Sequence, residues 1–129
     1  MAIKFHNPKS VSLAGKYSLG AEVPAGARFL YVSGQVGVDS RGKLQPTFEK
    51  QAAQAWKNIG QVLKSGGMTY KDIVKVTIFL TDSRFVGPYR TVRDQFITEP
   101  PYPASTLLIV AGLADPAMLV EVEVVAAKG

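Results

Sequence analysis

The spacing of apolar residues changes several times along this chain, and each change marks a predicted element. Apolar and β-branched residues that alternate or run together predict strands at 17–23, 28–38, 72–81, 105–110 and 119–127. Two other stretches carry apolar residues at helical spacing, one beginning after Thr47 and the other near Pro88. Strands, helix, strand, helix and strands in this order predict an α+β domain built on a mixed sheet of five or six strands.

Both predicted helices have recognisable ends. Thr47 is the expected N-cap of the first helix, because a threonine side chain accepts a hydrogen bond from a free backbone N–H of the first turn. Gly66 and Gly67 are expected to end that helix in the left-handed conformation, which glycine adopts without strain. Pro88 is the expected first residue of the second helix. The inward side of this helix is predicted to carry Tyr89, Val92, Phe96 and Ile97.

Two helices can cover only one face of such a sheet, so the other face is predicted to stay bare. Alternation places Phe79, Leu107 and Ile109 on this second face, together with Ile73, Thr77 and Ser105. An uncovered face of this apolar character is typical of a protein–protein interface. We therefore expect the chain to self-associate.

The last predicted strand carries two glutamates among valines. Glu121 and Glu123 share one face, whereas Val120, Val122 and Val124 share the other, which must belong to the core. An unpaired buried carboxylate costs several kcal/mol or becomes protonated. The glutamate face is therefore exposed to water, or lines a polar cleft, or lies at a boundary between subunits.

Composition limits the classes of function. The 129 residues are expected to form a single domain, 1–129, and no cysteine is present to form a disulfide or a thiolate site. The net charge of +5 comes from scattered basic residues, of which Lys50, Lys57 and Lys64 are typical of the solvent side of a helix, so nucleic acid is not an expected partner. A single histidine without cysteine does not support a zinc site. No stretch has the length of a membrane span, and we expect a cytoplasmic protein.

Six segments of the sequence carry a family resemblance. They are Gly15-Lys-Tyr-Ser18, Val32-Ser-Gly-Gln-Val36, Gln51 to Gly66, Asp72 to Asp82, Pro101-Tyr-Pro-Ala104 and Leu119-Val-Glu-Val-Glu123. In order and spacing together they resemble the YjgF/YER057c/UK114 family, also called the RidA-like or reactive-intermediate deaminase family. The resemblance implies a chorismate-mutase-like α+β fold with two helices on one face of the sheet, assembled as a homotrimer with a cleft between neighbouring subunits.

The resemblance also implies a chemistry. The family is best known for hydrolysing 2-aminoacrylate-type enamines and imines to 2-keto acids and ammonia, with no metal or organic cofactor. Such a reaction needs a cation for the substrate carboxylate, best supplied by the fork of an arginine, and a held water with polar groups that assist its proton transfers. The expected partner is thus a small metabolite in the intersubunit cleft, and no membrane partner is expected.

Carried over residue by residue, the family pattern gives a set of candidate site residues. Glu121 falls on the glutamate that can position water, and Ser33 with Gly34 falls on a serine–glycine pair, so Glu121 and Ser33 are the candidate catalytic residues. Tyr17 falls on the cleft tyrosine, and Tyr89 lies near the position of a family asparagine. The candidate substrate-binding residues are Tyr17, Gly34, Tyr89, Ser105 and Thr106. No residue is a candidate metal ligand.

One position departs from the family pattern. The arginine that should follow Pro103-Ala104 is replaced by Ser105. A serine hydroxyl makes one neutral hydrogen bond, so losing the charge-assisted pair costs about 1.5–3 kcal/mol, or roughly ten- to hundredfold in binding. Arg28, Arg90 and Lys16 of a neighbouring subunit are candidates for a replacement cation.

Three hypotheses about function remain. The first is an enamine or imine deaminase, or a protein that binds a related carbonyl metabolite, with specificity altered by Ser105. The second is a non-catalytic trimer that senses a ligand or acts as a chaperone. The third is an endoribonuclease or translation inhibitor, an activity attached to some relatives. Ammonia release from 2-aminoacrylate separates the first two, and RNA cleavage that scales with this protein alone identifies the third.

Overall fold

Residues 2–129 of the chain are described by a computed structural model, and they form six strands and two helices. The helices are α1 (Phe48–Ser65) and α2 (Val86–Arg93), and short 3₁₀ turns span Tyr70–Asp72 and Ser83–Phe85. The strands are β1 (Lys4–His6), β2 (Gly20–Glu22), β3 (Arg28–Val36), β4 (Ile73–Leu80), β5 (Ala104–Ile109) and β6 (Val120–Lys128). This order confirms the predicted α+β class.

Four of these strands form the main sheet, in the order β3–β6–β4–β5. β6 runs antiparallel to both of its neighbours, whereas β4 and β5 run parallel. Parallel strands need a crossover between them, and here the crossover contains α2. β1 and β2 pair with each other in a separate two-stranded sheet, so the main sheet is mixed, as predicted, but has four strands rather than five or six. Of the strand predicted at 17–23, only Gly20–Glu22 forms.

The ends of α1 follow from local chemistry. Thr47 Oγ1 accepts a hydrogen bond from the N–H of Lys50 at 3.2 Å, which confirms Thr47 as the N-cap. At the other end Gly67 has a φ of +71° and closes the helix in the left-handed conformation. Gly66 has a φ of −92°, so only one of the two glycines needs that conformation. No helix within residues 2–129 is long and apolar enough to cross a membrane.

α2 begins earlier than the sequence predicts, at Val86, because the 3₁₀ turn Ser83–Phe85 leads directly into it. Pro88 is therefore the third helical residue rather than the first, a position where its missing N–H removes no intrahelical hydrogen bond. The helix also ends before Phe96 and Ile97, which lie in the turns that follow it. Both residues still contact the core, so their predicted inward orientation is confirmed.

Both helices pack on one face of the main sheet, which we call the covered face. β6 contributes Val120, Val122 and Val124 to it, and their burial confirms the predicted valine side of that strand. Burying a large apolar side chain contributes about 1.5–3 kcal/mol, so this layer is the main apolar source of stability. Its other buried members include Val32, Ala52, Trp56, Ile59, Leu63, Ile73, Val76, Ile78, Leu80, Tyr89 and Val92.

No helix of residues 2–129 packs on the opposite side of the main sheet, which we call the bare face. Phe29 and Tyr31 stack there with ring centroids 6.1 Å apart. They remain 49% and 73% exposed, respectively, and Leu108 is also exposed. By strand pairing the bare face carries Phe29, Tyr31, Ser33, Lys75, Thr77, Phe79, Thr106, Leu108, Glu121, Glu123 and Val125.

Several residues predicted for the bare face lie elsewhere. Ser105 and Leu107 are opposite core residues of β4 in the parallel pair, so they and Ile109 belong to the covered side of β5. Alternation could not decide this point, because residues 107–109 are all apolar. Ile73, predicted on the same side as Phe79, joins the core because a register irregularity follows it in β4.

Candidate functional site

Gly34 and Glu121 are in direct contact where β3 bulges away from β6. Val32 pairs with Val124, but the next regular pair is Gln35 with Val122, so Ser33 and Gly34 form the bulge. A Cβ atom on Gly34 would overlap Glu121 Oε2 and lie 2.8 Å from its Cδ. Only glycine therefore lets the Glu121 carboxylate lie against the β3 backbone.

The Glu121 side chain is half-buried and has no partner of its own. Within residues 2–129 its carboxylate makes no hydrogen bond and no ion pair. In the same part of the chain, no three histidine, aspartate or glutamate side chains lie close enough together to hold a metal ion. The oxygens of Glu121 are thus available for a ligand, a water molecule or a second chain.

Gln51 positions the segment that leads into Glu121. Its side chain is 2% exposed, and its Nε2 donates to the carbonyls of Gln45 and Ala117, both at 3.1 Å. Its Oε1 accepts from the N–H of Leu119 at 2.9 Å. α1 thereby holds the chain two residues before Glu121. Gln51 was not among the candidates predicted from the sequence, although an amide among the apolar residues of the inward helix face was a detectable sign.

Tyr17 and Ser105 form a second group beside β5. Ser18, which is buried, pairs with Ala104 in an isolated parallel bridge, and its N–H donates to the carbonyl of Pro103 at 3.0 Å. The Ser18 hydroxyl also donates to the Tyr102 carbonyl. The parallel bridge places Tyr17 opposite Pro103, so Tyr17 and Ser105 lie on either side of the bridge, two residues out of register, at the outer edge of the sheet.

One chain does not bring these two groups together. β4 lies between β5 and β6, so two strand spacings, roughly 10 Å, separate the strand of Ser105 from that of Glu121. Ser105 also lies on the covered side, whereas Glu121 belongs to the bare face. The residues expected to share one site are therefore divided between two places in the protomer.

Thr106 lies on the bare face and contacts a basic residue that the sequence analysis did not select. Lys75 Nζ donates to Thr106 Oγ1 at 2.6 Å, across the parallel β4–β5 pair. In sequence, Lys75 looked like an ordinary polar residue of an alternating strand. Its significance depends on the strand pairing, which brings the lysine next to a candidate site residue.

Tyr89 lies in the core instead of at a cleft. Its side chain is 0% exposed, and burial raises the pKa of its phenol above the usual value. Its hydroxyl has no hydrogen-bond partner within residues 2–129. The placement disfavours direct contact with a substrate, and it agrees with the predicted inward side of α2, on which Tyr89 and Val92 are both buried.

The cations considered as replacements for the missing arginine are engaged or distant from Glu121. Lys16 Nζ is 3.1 Å from Asp94 Oδ2, so its charge is already paired. Arg28 Nη1 donates to the carbonyl of Gly66 at 2.7 Å, at the end of α1, where a cation is favourable. Arg90 is exposed on α2, in the helical layer.

Comparison with known proteins gives consistent matches along the chain. The sequence matches the family model described as endoribonuclease L-PSP over residues 8–128. A RutC family protein from Aquifex aeolicus is 37% identical over 123 residues, covering 94% of this chain and 95% of that protein. A protein from Mus musculus named 2-iminobutanoate/2-iminopropanoate deaminase is 34% identical over 123 residues, covering 94% of this chain and 87% of that protein.

A solved structure shares the arrangement of strands and helices. It is the crystal structure of a protein of unknown function of the conserved Rid family from Yersinia pestis, which superimposes with a TM-score of 0.89. The match covers 99% of this chain and 100% of that chain at 24% identity, so it bears on the fold alone. Two helices on a mixed sheet are thus an architecture that this chain has in common with a Rid protein.

Proposed function

This chain belongs to the YjgF/YER057c/UK114 (RidA) family, and on that basis we propose that it forms a homotrimer whose intersubunit clefts bind and hydrolyse a small imine or enamine metabolite. The relatives named 2-iminobutanoate/2-iminopropanoate deaminase support this class of substrate. In the cleft, Glu121 and the Ser33–Gly34 bulge of one subunit face Tyr17 and Ser105 of its neighbour.

This proposal rests on the placement of the candidate residues in two separate parts of the protomer. Gly34 and Glu121 are in contact on the bare face, whereas Tyr17 and Ser105 both lie at the β5 edge. A second copy of the chain placed against the bare face brings its own β5 edge toward Glu121. The two halves then make one site without any change within either subunit.

The composition of the bare face supports the assembly. Phe29, Tyr31 and Leu108 expose apolar surface on one side of a sheet. Large exposed apolar side chains that stack on each other, as Phe29 and Tyr31 do, are typical of interaction surfaces in soluble proteins. Association of three copies through this face removes that surface from water and encloses the polar residues among it.

Hydrolysis of an imine needs few groups, and Glu121 is suited to the central one. Water adds to the imine carbon, the C–N bond breaks, and the products are a carbonyl compound and ammonia. Glu121 accepts a proton from the attacking water and returns it to the departing nitrogen, as a general base and then a general acid. The contact with Gly34 fixes the position of the Glu121 side chain on the bare face. Because its carboxylate is unpaired, it is free to bind the attacking water.

Ser105 gives the proposed site its own specificity. Its hydroxyl offers a substrate carboxylate one neutral hydrogen bond, where an arginine offers two charged ones. We therefore expect hydrolysis of 2-iminopropanoate to be weaker than in arginine-bearing relatives by roughly ten- to hundredfold in kcat/KM. Substrates that lack a carboxylate, or whose binding depends less on it, should show a smaller decrease in kcat/KM.

The test combines an assay with a matched pair of variants. Ammonia release is measured from 2-aminoacrylate generated in the reaction vessel, for the unchanged chain, Glu121→Gln and Glu49→Gln. Glu49 is an exposed glutamate in the first turn of α1, so its variant controls for the loss of one negative charge. We expect turnover that Glu121→Gln removes and Glu49→Gln leaves unchanged.

Other outcomes decide between the remaining hypotheses. A trimer in light scattering that binds 2-keto acids without releasing ammonia would make the chain a non-catalytic member of the family. Cleavage of RNA that remains constant per milligram through purification, with no ammonia release, would identify an endoribonuclease. A monomer at micromolar concentration would eliminate the intersubunit cleft altogether.

A further inference from the structure

The segment of residues 8–16 leads directly into Tyr17 and is loosely attached to the rest of the chain. It lies between β1 and β2, and each of its residues is exposed. Within residues 2–129 its backbone makes no hydrogen bond outside the segment. One side-chain bond joins it to another element, from Lys16 Nζ to Asp94 Oδ2 at 3.1 Å. This ion pair is therefore the main restraint on the segment.

The carboxylate of Asp94 is itself held in place by its neighbour Arg93. The Nε and Nη2 atoms of Arg93 donate to Asp94 Oδ1 at 3.2 and 2.9 Å, which leaves Asp94 Oδ2 for Lys16. Both residues lie at the end of α2, where Asp94 is the C-cap. The Arg93 side chain is 16% exposed and that of Lys16 is 55% exposed. The α2 side of the network is thus the fixed side, to which the mobile lysine attaches.

The position of the Tyr17 ring depends on the backbone that Lys16 anchors. A Cβ atom on Gly15 would lie 3.4 Å from Tyr17 Cε1 and 3.5 Å from its Cδ1, so the ring is folded back over Gly15. On the other side of Tyr17, the N–H of Ser18 donates to the carbonyl of Pro103 at 3.0 Å. Tyr17 therefore lies between one residue tied to β5 and one residue tied to α2.

The charges of this network make Asp94 its critical member. While the carboxylate is ionised, it attracts Lys16 and Arg93 from two sides. Without that negative charge, the lysine and the arginine are two neighbouring cations, which repel each other. Loss of the Asp94 charge therefore removes an attraction and adds a repulsion, whereas loss of the Lys16 charge only removes the attraction.

We propose that Asp94 is a positioning residue for the intersubunit cleft, which acts through Lys16 to hold Tyr17 in the orientation that a bound ligand requires. A partly exposed ion pair contributes little to global stability. Here it restrains a segment that has no other tie within residues 2–129, so it sets how often that segment is ordered. The restraint is a property of the chain alone, whereas its importance for the cleft rests on the proposed function.

The restraint is tested by ¹⁹F NMR of the assembled chain labelled with 3-fluorotyrosine. The chain has five tyrosines, and Tyr17→Phe identifies the resonance of Tyr17. Asp94→Asn should shift and narrow this resonance, because the ring becomes mobile. Glu99→Gln is the matched control, since it removes an exposed ion pair with Lys71 at 3.5 Å, and it should leave Tyr17 unchanged. A Tyr17 resonance that Asp94→Asn does not alter would overturn the proposal.

A double-mutant cycle tests whether Asp94 acts through Lys16. Asp94→Asn should lower kcat/KM for ammonia release roughly three- to tenfold, and Lys16→Met should lower it less, because no repulsion is added. The double variant should recover to the level of Lys16→Met alone. A loss in Asp94→Asn that Lys16→Met does not recover would contradict the proposal, because it would assign Asp94 to the structure of the α2 end. High salt should reduce the difference between the unchanged chain and Lys16→Met, since it screens the ion pair.

The two readouts separate this proposal from the reaction. If Asp94→Asn shifts the Tyr17 resonance and the unchanged chain releases no ammonia, the restraint stands and the deaminase proposal fails. If ammonia is released and Asp94→Asn leaves kcat/KM unchanged, the deaminase proposal stands and the positioning role fails. If Asp94→Asn does not fold, Lys16→Met on the exposed segment takes its place, and an unaltered Tyr17 resonance in that variant overturns the proposal.

Discussion

The two faces of β4 present opposite kinds of surface. On the covered face, Val76, Ile78 and Leu80 are each at most 3% exposed and belong to the hydrophobic core. On the bare face the same strand presents Lys75, Thr77 and Phe79, none of which is fully buried. One strand therefore serves two purposes, and its alternate residues should respond differently to substitution.

β6 repeats this division and clarifies its meaning. Its valines complete the core, while Glu121 and Glu123 lie on the bare face without partners in residues 2–129. Unpaired carboxylates add nothing to folding, and they become costly if a second surface buries them without a partner. The bare face is thus organised for recognition, whereas the covered face is organised for stability.

The largest effect on folding is expected from the covered face. Ile78→Ala should lower the free energy of unfolding by about 2–5 kcal/mol, because it removes a side chain that is 1% exposed and leaves a cavity. Urea denaturation at fixed chain concentration measures the change. Phe79→Ala, at the next position of β4 and on the bare face, should lower the free energy of unfolding clearly less. This second measurement is made at a concentration low enough for the chains to be dissociated. Equal losses there would contradict the division between the faces.

A smaller loss of stability, together with a large loss of ligand binding, is expected at the Ser33–Gly34 bulge of β3. Gly34→Ala places a methyl group against the Glu121 carboxylate, so the glutamate must move, at a cost of about 1–3 kcal/mol. Gly112→Ala is the control, because a Cβ at Gly112 meets nothing within 4 Å. Ligand titration and denaturation together check the prediction. Unchanged ligand binding in Gly34→Ala would show that Glu121 does not need its present position.

A still smaller effect on folding is expected from the most exposed aromatic of the bare face. Tyr31→Glu should change the unfolding free energy of the dissociated chain by no more than about 0.5 kcal/mol, since the ring is 73% exposed. Light scattering should nevertheless show smaller particles, because a charge introduced on each chain opposes burial of this face in the proposed trimer. Lys57→Gln, on the exposed side of α1, changes the net charge by the same one unit and should leave the mass unaltered. An unaltered mass in Tyr31→Glu would place the interface elsewhere.

The smallest effect on stability is expected outside both faces of the sheet, at the Ser83–Phe85 turn that leads into α2. Hydrogen bonds from Arg84 lower the pKa of the Asp82 carboxyl to about 2. Because the folded-state pKa lies below the unfolded one, Asp82 stabilises the fold fully above about pH 4 and loses this contribution as the pH falls through about 2. Asp82→Asn should flatten the pH dependence of stability in that window. A carboxyl that titrates near pH 4 by NMR would contradict the prediction.

The elements that depend on local chemistry could be predicted from the sequence. Thr47 caps α1 through its own side chain, and the valines of β6 have only one favourable side to face. The predicted start of α2 was wrong because Pro88 is acceptable at more than one position of a first helical turn, whereas the inward side of this helix, with Tyr89 and Val92, was predicted correctly.

The parts of the site that depend on strand pairing could not be predicted. The side of β5 that faces the core was undecidable because residues 107–109 are all apolar, so Ser105 was assigned to the wrong face. The link between Lys75 and Thr106 joins strands whose register is set by tertiary packing. The contact of Gly34 with Glu121 is likewise a product of the bulge. Family resemblance selected these two residues, but only the fold explains why they belong together.

The place of β6 in the sheet has a consequence for how the chain folds. β6 is the last of the six strands along the chain, yet it lies between β3 and β4, and its pairs with β3 join residues as distant as Arg28 and Lys128. Such long-range pairing slows folding, because a large loop must close before its contacts form. While the protein is being synthesised, β3 remains without its neighbour until nearly all other elements exist. During that interval the nascent chain exposes unpaired strand edges, which favour aggregation.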